Sequence, residues 1–288
     1  MSSREPHPSN LPGIGTPLTN LSAVGHLLIG ESQGKDMFRF ALKTKPPAAR
    51  RCITTAVPRL LHFVWLHSPL PKRYASNILR QSELNPGWQV RLWLEHPLQG
   101  ESAALLAGLR DGALAVRNVT EYLRSGRFRN GRAIERWRNP GGKSDFVRME
   151  VVYAEGGIYQ DTDAVALRSF DSVGDGSLFR WPWVSYSTRR WKNVCNCAFA
   201  FEKASPFLDF ALDLFGEICA GPPHAPRLPP SISCTNGAPG PMMLTRALRE
   251  YGDPEIVLLP GAFVVGPRIN HSVTTHTMDA AWHRFPKR

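Results

Sequence analysis

The sequence predicts an α/β fold built on a mixed, mainly parallel sheet, and three neighbouring stretches carry that reading. Leu60 to Trp65 (LLHFVW) is a nearly continuous apolar run rich in strand formers, the pattern of a strand covered on both faces. Pro71 to Leu84 follows with a helical stripe through Tyr74, Ile78, Leu79 and Ser82, closed by the breakers Asn85-Pro86-Gly87. Trp88, Val90, Leu92 and Leu94 then alternate with polar or mixed residues, which is strand periodicity. Strand, helix and strand in that order form a βαβ unit, whose crossover implies parallel strands. Helical segments are expected between Glu101 and Trp137, separated by Gly112, Gly126 and Gly131.

Lys143 to Phe170 is the second informative stretch. Ser144 suits a helix N-cap, Asp145 the positive end of the helix, and Gly156 its left-handed exit, with Val147, Val151 and Ala154 on one face. A brief strand, Ile158-Tyr159-Gln160, runs directly into Asp161-Thr162-Asp163. Two acids therefore stand at the carboxyl end of a sheet strand, where open α/β sheets place their ligands. Farther on, Asn193 to Phe201 reads as a buried strand and Ser205-Pro206 as the start of a helix through Cys219. Pro222 to Pro241 reads as a proline-rich loop of lid or binding-loop length, before a helix from Met242 to Tyr251 and a strand at Ile256 to Leu259. Residues 1–55, with the basic run KTKPPAARRC, read as a partly flexible extension, and 56–288 as the folded domain.

Composition bounds the class. Of 288 residues, 42% are hydrophobic and 20% charged, which excludes a mainly disordered or coiled-coil chain. No apolar run approaches the roughly 20 residues of a membrane-spanning helix, and Met1 to Asn20 lacks the apolar stretch of an export signal. A cytoplasmic location, or secretion by a route that needs no standard signal peptide, is expected. Thirty-five Lys and Arg against 24 Asp and Glu leave +11, which favours anionic partners, a membrane or acidic surface among them. Nucleic acid is not expected, because the aromatics lie in strand patterns rather than interleaved with Arg and Lys on one face. The five cysteines show no CxxC spacing and are expected as buried reduced thiols.

Carboxylates at Asp161 and Asp163 can be aimed by a turn at one hard cation, Mg²⁺ or Mn²⁺, of the kind that bridges protein to diphosphate. A bare D-x-D is also a common solvated loop pair. Asp145 and Arg148 share a helix face and read either as a simple ion pair or as a phosphate- and hydroxyl-binding couple.

In order along the chain stand HFVW (His62 to Trp65), PLP (Pro69 to Pro71), NPGW (Asn85 to Trp88), RLW (Arg91 to Trp93), SDFVR (Ser144 to Arg148) and GGIYQDTD (Gly156 to Asp163). Together they resemble the DXD-containing sugar-transferase superfamily. Its members include the yeast-type Och mannosyltransferases, the lactosylceramide galactosyltransferases and, more distantly, the large glucosylating toxins. The likeness covers Pro58 to Phe170, with a looser echo in Gly240-Pro241 and in His276 ahead of Trp282. It implies a GT-A (Rossmann-like) fold with helical insertions and a retaining, metal-dependent transfer from a UDP- or GDP-sugar to a glycan, lipid-linked or protein acceptor. A toxin-type transferase acting on host proteins and a catalytically silent sugar-nucleotide-binding module are the alternatives.

The resemblance also implies roles. Trp65 would stack on the base or serve as a core tryptophan, and Asp145 and Arg148 would contact the donor sugar. Tyr159 would pack near the ribose or diphosphate, or in the core. Asp161 would reach the ribose or a metal-bound water, and Asp163 would ligate Mn²⁺ or Mg²⁺. Asn196 would lie near the donor sugar, Trp282 near the nucleotide, and His276, or Asn270 and His271, would complete metal or phosphate binding. Gln160 departs from the apolar residue common at its position.

Overall fold

The computed structural model describes residues 56–109, 112–137, 139–172, 181–186, 194–220, 240–252, 256–260 and 274–276. The extension at 1–55, most of the proline-rich loop, Asn270, His271 and Trp282 lie outside the described residues.

The predicted βαβ unit is present. Leu60–Trp65 (β1) and Gln89–Leu94 (β2) pair in parallel from Leu60 against Gln89 to Trp65 against Leu94, with Lys72–Leu84 (α1) between them. The buried side of α1 carries Tyr74, Ala75, Ile78, Gln81 and Ser82, whereas Leu79 is only partly covered. Gly100–Leu106 (α2) is helical as expected, but Leu114–Asn118 (β3), inside the stretch read as helical, is a strand parallel to β2. As the outermost strand it needs no fully apolar face, and Val116 is 43% exposed, so periodicity did not reveal it. Val119–Arg124 (α3) follows, its N-terminus capped by the Asn118 side chain, and then Gly131–Arg136 (α4).

The next helix, Pro140–Glu155 (α5), starts four residues before the expected cap at Ser144. Asn139 is the cap, its side chain accepting from the N–H groups of Gly141 and Gly142. At Gly142 a Cβ would stand 1.9 Å from the Trp137 indole nitrogen, so the position is a packing glycine inside the helix. Asp145 thus sits in the second turn. Gly157–Gln160 (β4) is parallel to β1, and Ala164–Ala166 (β5) follows the acidic turn. Trp183–Tyr186 (β6), Val194–Phe201 (β7), Pro206–Ala220 (α6), Pro241–Tyr251 (α7), Val257–Pro260 (β8) and Thr274–His276 (β9) complete the described elements. Among the described residues the main sheet runs β3-β2-β1-β4-β7-β6-β8, with β7 antiparallel to both neighbours, and β5 pairs with β9.

Alternation along β1 divides the core. Val64 packs with Trp93, Phe146, Tyr159 and Phe199 on the α5 side, whereas Leu61 and Phe63 pack with Tyr74, Ile78 and Trp183 on the α1 side. Gln160 is fully buried rather than an outer residue.

The turn from α5 into β4 admits only glycine. Gly156 has φ 71°, as expected, but ψ 179° places it in the mirror-β region rather than the left-handed helical one. Gly157 has φ 112°, and a Cβ there would meet the Leu60 carbonyl oxygen at 2.7 Å and the Leu60 Cβ at 2.8 Å. Gly157→Ala is expected to destabilise the fold by about 3 kcal/mol, combining backbone strain with a clash against β1; a chemical-denaturation midpoint checks this.

His62 bolts the same turn in place. Its Nε2 lies 2.7 Å from the Gly156 carbonyl oxygen, and Trp93 Nε1 donates to its Nδ1 at 3.1 Å. A carbonyl only accepts and an indole N–H only donates, so the ring is the neutral tautomer protonated at Nε2. Burial, with a smaller contribution from Arg91, outweighs the Gly156 bond and lowers the His62 pKa to about 4. Because the unfolded ring titrates near 6.5, the stability it contributes is complete above that pH and is lost as pH falls toward about 4. Wild type minus His62→Gln should therefore lose about 3 kcal/mol of its stability difference between pH 7 and pH 4, read by urea denaturation at each pH.

Candidate active site

At the end of β4 the chain makes a turn closed by the Ala164 N–H donating to the Asp161 carbonyl at 3.0 Å, while the Asp161 N–H donates to Cys197 O at 2.9 Å. Thr162 is buried and the flanking Asp161 and Asp163 are half-exposed, so the turn presents its acids and withdraws its middle residue. Three polar side chains from α1 and its exit hold the outer side of the turn. Asn77 donates to Thr162 O at 3.0 Å and Arg80 to Ala166 O at 2.6 Å. Asn85, the first residue of NPGW, accepts from Phe170 N at 2.8 Å and Ser169 Oγ at 3.1 Å.

Inward from the turn lies a buried charge cluster. Arg148 donates three hydrogen bonds and makes two ion pairs. Nε donates to Ser144 O (3.2 Å), Nη2 to Ser144 Oγ (3.2 Å) and Nη1 to Asn196 O (2.8 Å), while Nη2 pairs with Asp145 Oδ1 at 3.1 Å and Nη1 with Asp161 Oδ1 at 3.0 Å. The guanidinium also lies over the Tyr159 ring, 4.6 Å from its centroid. Burial would lower the Arg148 pKa, but Asp161, Tyr159 and Asp145 outweigh it and raise it, so the group is a fixed cation. Tyr159 is buried against Phe199, and its hydroxyl donates to Asp161 Oδ1 at 2.6 Å. Burial, opposed by Arg148 and aided by Asp161, holds that phenol well above its usual pKa, so it stays a donor.

Asp145 is the strained member. Arg148 on one side and the Asn196 amide on the other, at 2.7 Å, favour its carboxylate, but burial and the Asp161 charge push its pKa up to about 7. Asp145, Asp161 and Asp163 all act on Arg148, so acids outnumber the guanidinium here. An acid excess built from hard oxygens at a sheet edge suits a divalent cation. Among the described residues no three His, Cys, Asp or Glu side chains converge on one point, so phosphate oxygens or water would have to complete such a site. Pairing of β5 with β9 sets His276 opposite Ala164, next to Asp163 in sequence; its side chain lies outside the described residues.

Trp65 ends β1 half-buried, its ring 4.6 Å from that of Tyr74 and its Nε1 donating to Ser68 Oγ at 3.2 Å. The expectation of reduced thiols is corrected at one place: Cys195 and Cys197 form a disulfide that brackets Asn196. Alternate residues of a strand point to one side, which brings two sulfurs at this spacing together.

Residues 71–180 match the family model of the glycosyltransferase sugar-binding region containing a DXD motif. Over these residues the chain is similar to DXD-containing glycosyltransferases. A structure described as PaToxG glycosyltransferase superposes on it with a TM-score of 0.52 at 18% identity, covering 74% of each chain, which shows a shared GT-A-like α/β fold. A ligand-free glycosyltransferase domain of the YGT toxin gives a TM-score of 0.48 at 10% identity, over 73% of this chain and 81% of that one. A Legionella pneumophila protein, subversion of eukaryotic traffic protein A, is 24% identical over 119 residues, which is 40% of this chain and 18% of that protein. No helix among the described residues is long and apolar enough to cross a membrane.

The geometry brings Asp145, Arg148, Tyr159, Asp161 and Asn196 into one cluster, while Trp65 stands at the end of a separate strand. Asn77, Arg80 and Asn85 were missed as supports of the acidic turn. Only Asn85 left a signal, its place in NPGW.

Proposed function

We propose that the protein is a metal-dependent, retaining glycosyltransferase that moves a sugar from a UDP- or GDP-sugar to a glycan, lipid-linked or protein acceptor. One observation carries the reading: a buried guanidinium paired with both Asp161 and Asp145 fixes these acids, leaving an acid excess at the carboxyl edge of the sheet. Asp163 and Asp161, with His276 as a third candidate, would hold Mn²⁺ or Mg²⁺. When bound, the ion offsets the charge of the departing diphosphate. Trp65 stacks on the base. Asp145, oriented by Asn196, accepts hydrogen bonds from donor-sugar hydroxyls. Arg148, buried and paired with Asp145 and Asp161, is a positioning residue, and Tyr159 acts through Asp161.

Asp145 is also the best-placed carboxylate for a covalent intermediate, but Arg148 and Asn196 already hold its Oδ1. We therefore favour front-face attack, in which the acceptor hydroxyl enters beside the leaving phosphate and gives it the proton. A protein acceptor is favoured by the partial match to a Legionella protein named for subverting eukaryotic traffic. The test is a panel of UDP- and GDP-sugars with Mn²⁺, followed for slow donor hydrolysis. Turnover of one donor that stops on chelation supports the reading; binding without turnover supports a silent module.

A further inference from the structure

Glu95 follows β2 at the carboxyl edge of the sheet, and both its oxygens are occupied. Oε1 takes the ammonium of Lys143, and Oε2 accepts the backbone N–H of His67 at 2.8 Å. The ion pair is largely withdrawn from water, with side chains 14% and 19% exposed, which separates it from a weak surface pair. Its two ends reach different halves of the proposed donor site. Lys143 lies in the first turn of α5, two residues before Asp145, and His67 lies two residues after Trp65.

His67 has φ 76°, a left-handed conformation that costs a side chain about 1 kcal/mol and is held only when its surroundings enforce it. The Glu95 bond to its N–H is such a constraint. Ser68, the next residue, accepts from the Trp65 indole, so the path of this loop sets how the ring is turned.

We infer that Glu95 is a positioning residue for nucleotide-base recognition: it holds the left-handed turn at His67 that orients Trp65, and through Lys143 it ties that loop to the start of α5. This rests on the reading of Trp65 as the base platform. The experiment is calorimetric titration of UDP and GDP in the presence of Mn²⁺, following whichever nucleotide binds the wild type. Glu95→Ala should weaken binding about tenfold while kcat stays within about threefold, a split that general loosening of the fold would not give. Glycine adopts φ 76° without strain, so Glu95→Ala with His67→Gly should recover most of the lost affinity. Glu95→Gln, which keeps an acceptor for the His67 N–H, should bind within about threefold of wild type. Trp65→Ala separates the two levels. If it binds as well as wild type, the base-platform reading itself fails. If it binds poorly while Glu95→Ala binds normally, or if His67→Gly does not rescue, the role assigned to Glu95 is overturned.

Discussion

Asp163→Ala is expected to lower donor turnover by about a thousandfold, which corresponds to about 4 kcal/mol of lost leaving-group stabilisation. The fold should tolerate it. Asp163 is half-exposed in a turn whose closing bond joins the Asp161 carbonyl and the Ala164 N–H and so needs no Asp163 carboxylate. A melting temperature within about 2 °C of wild type, beside the kinetic loss, separates this result from unfolding. Asp161→Ala is different in kind: Asp161 accepts from the Tyr159 hydroxyl and pairs with Arg148, so its removal strands a buried donor and takes one carboxylate from a buried cation, and should lower both stability and turnover.

Asp145→Asn is expected to trade the other way. Folding a carboxylate whose pKa rises from 3.8 to about 7 is unfavourable above pH 7, and the penalty disappears as pH falls and the folded group binds its proton. That shift corresponds to an upper bound of about 4 kcal/mol, reduced in the variant because Arg148 loses one of its two carboxylate partners. The asparagine protein should thus be about 1–2 kcal/mol more stable than wild type at pH 8 and no more stable at pH 4, while turnover falls at least about a hundredfold. Urea midpoints at the two pH values and a steady-state assay check both halves. An active-site carboxylate that costs stability is a common exchange of stability for function. A variant that kept most of its turnover would remove Asp145 as hydroxyl binder and as nucleophile alike.

The parts of the fold that follow from local periodicity were legible in the sequence. The run from β1 through α1 to β2 has unbroken apolar patterning, and the acids at Asp161 and Asp163 follow a strand bounded by two glycines that the backbone requires. Less was visible where burial is one-sided or contacts are remote. The edge strand β3 has no continuous apolar face, and the start of α5 was hidden because Gly141 and Gly142 look like breakers until Trp137 is seen to lie against Gly142. In the site, Asp145 and Arg148 announced their pairing by helical spacing, but the bond from Arg148 to the Asn196 carbonyl ties α5 to β7, far along the chain. The Cys195–Cys197 bridge and the Glu95–Lys143–His67 chain left no motif at all.

Whether nucleotide and cation share one site is tested most directly by titrating UDP and GDP into the protein with Mn²⁺ and again with a chelator, for wild type and Asp163→Ala. The account predicts that one nucleotide binds the wild type at least about tenfold more tightly with Mn²⁺, and that the alanine protein loses this gain. Equal binding with and without the ion, unchanged by removal of Asp163, would contradict it.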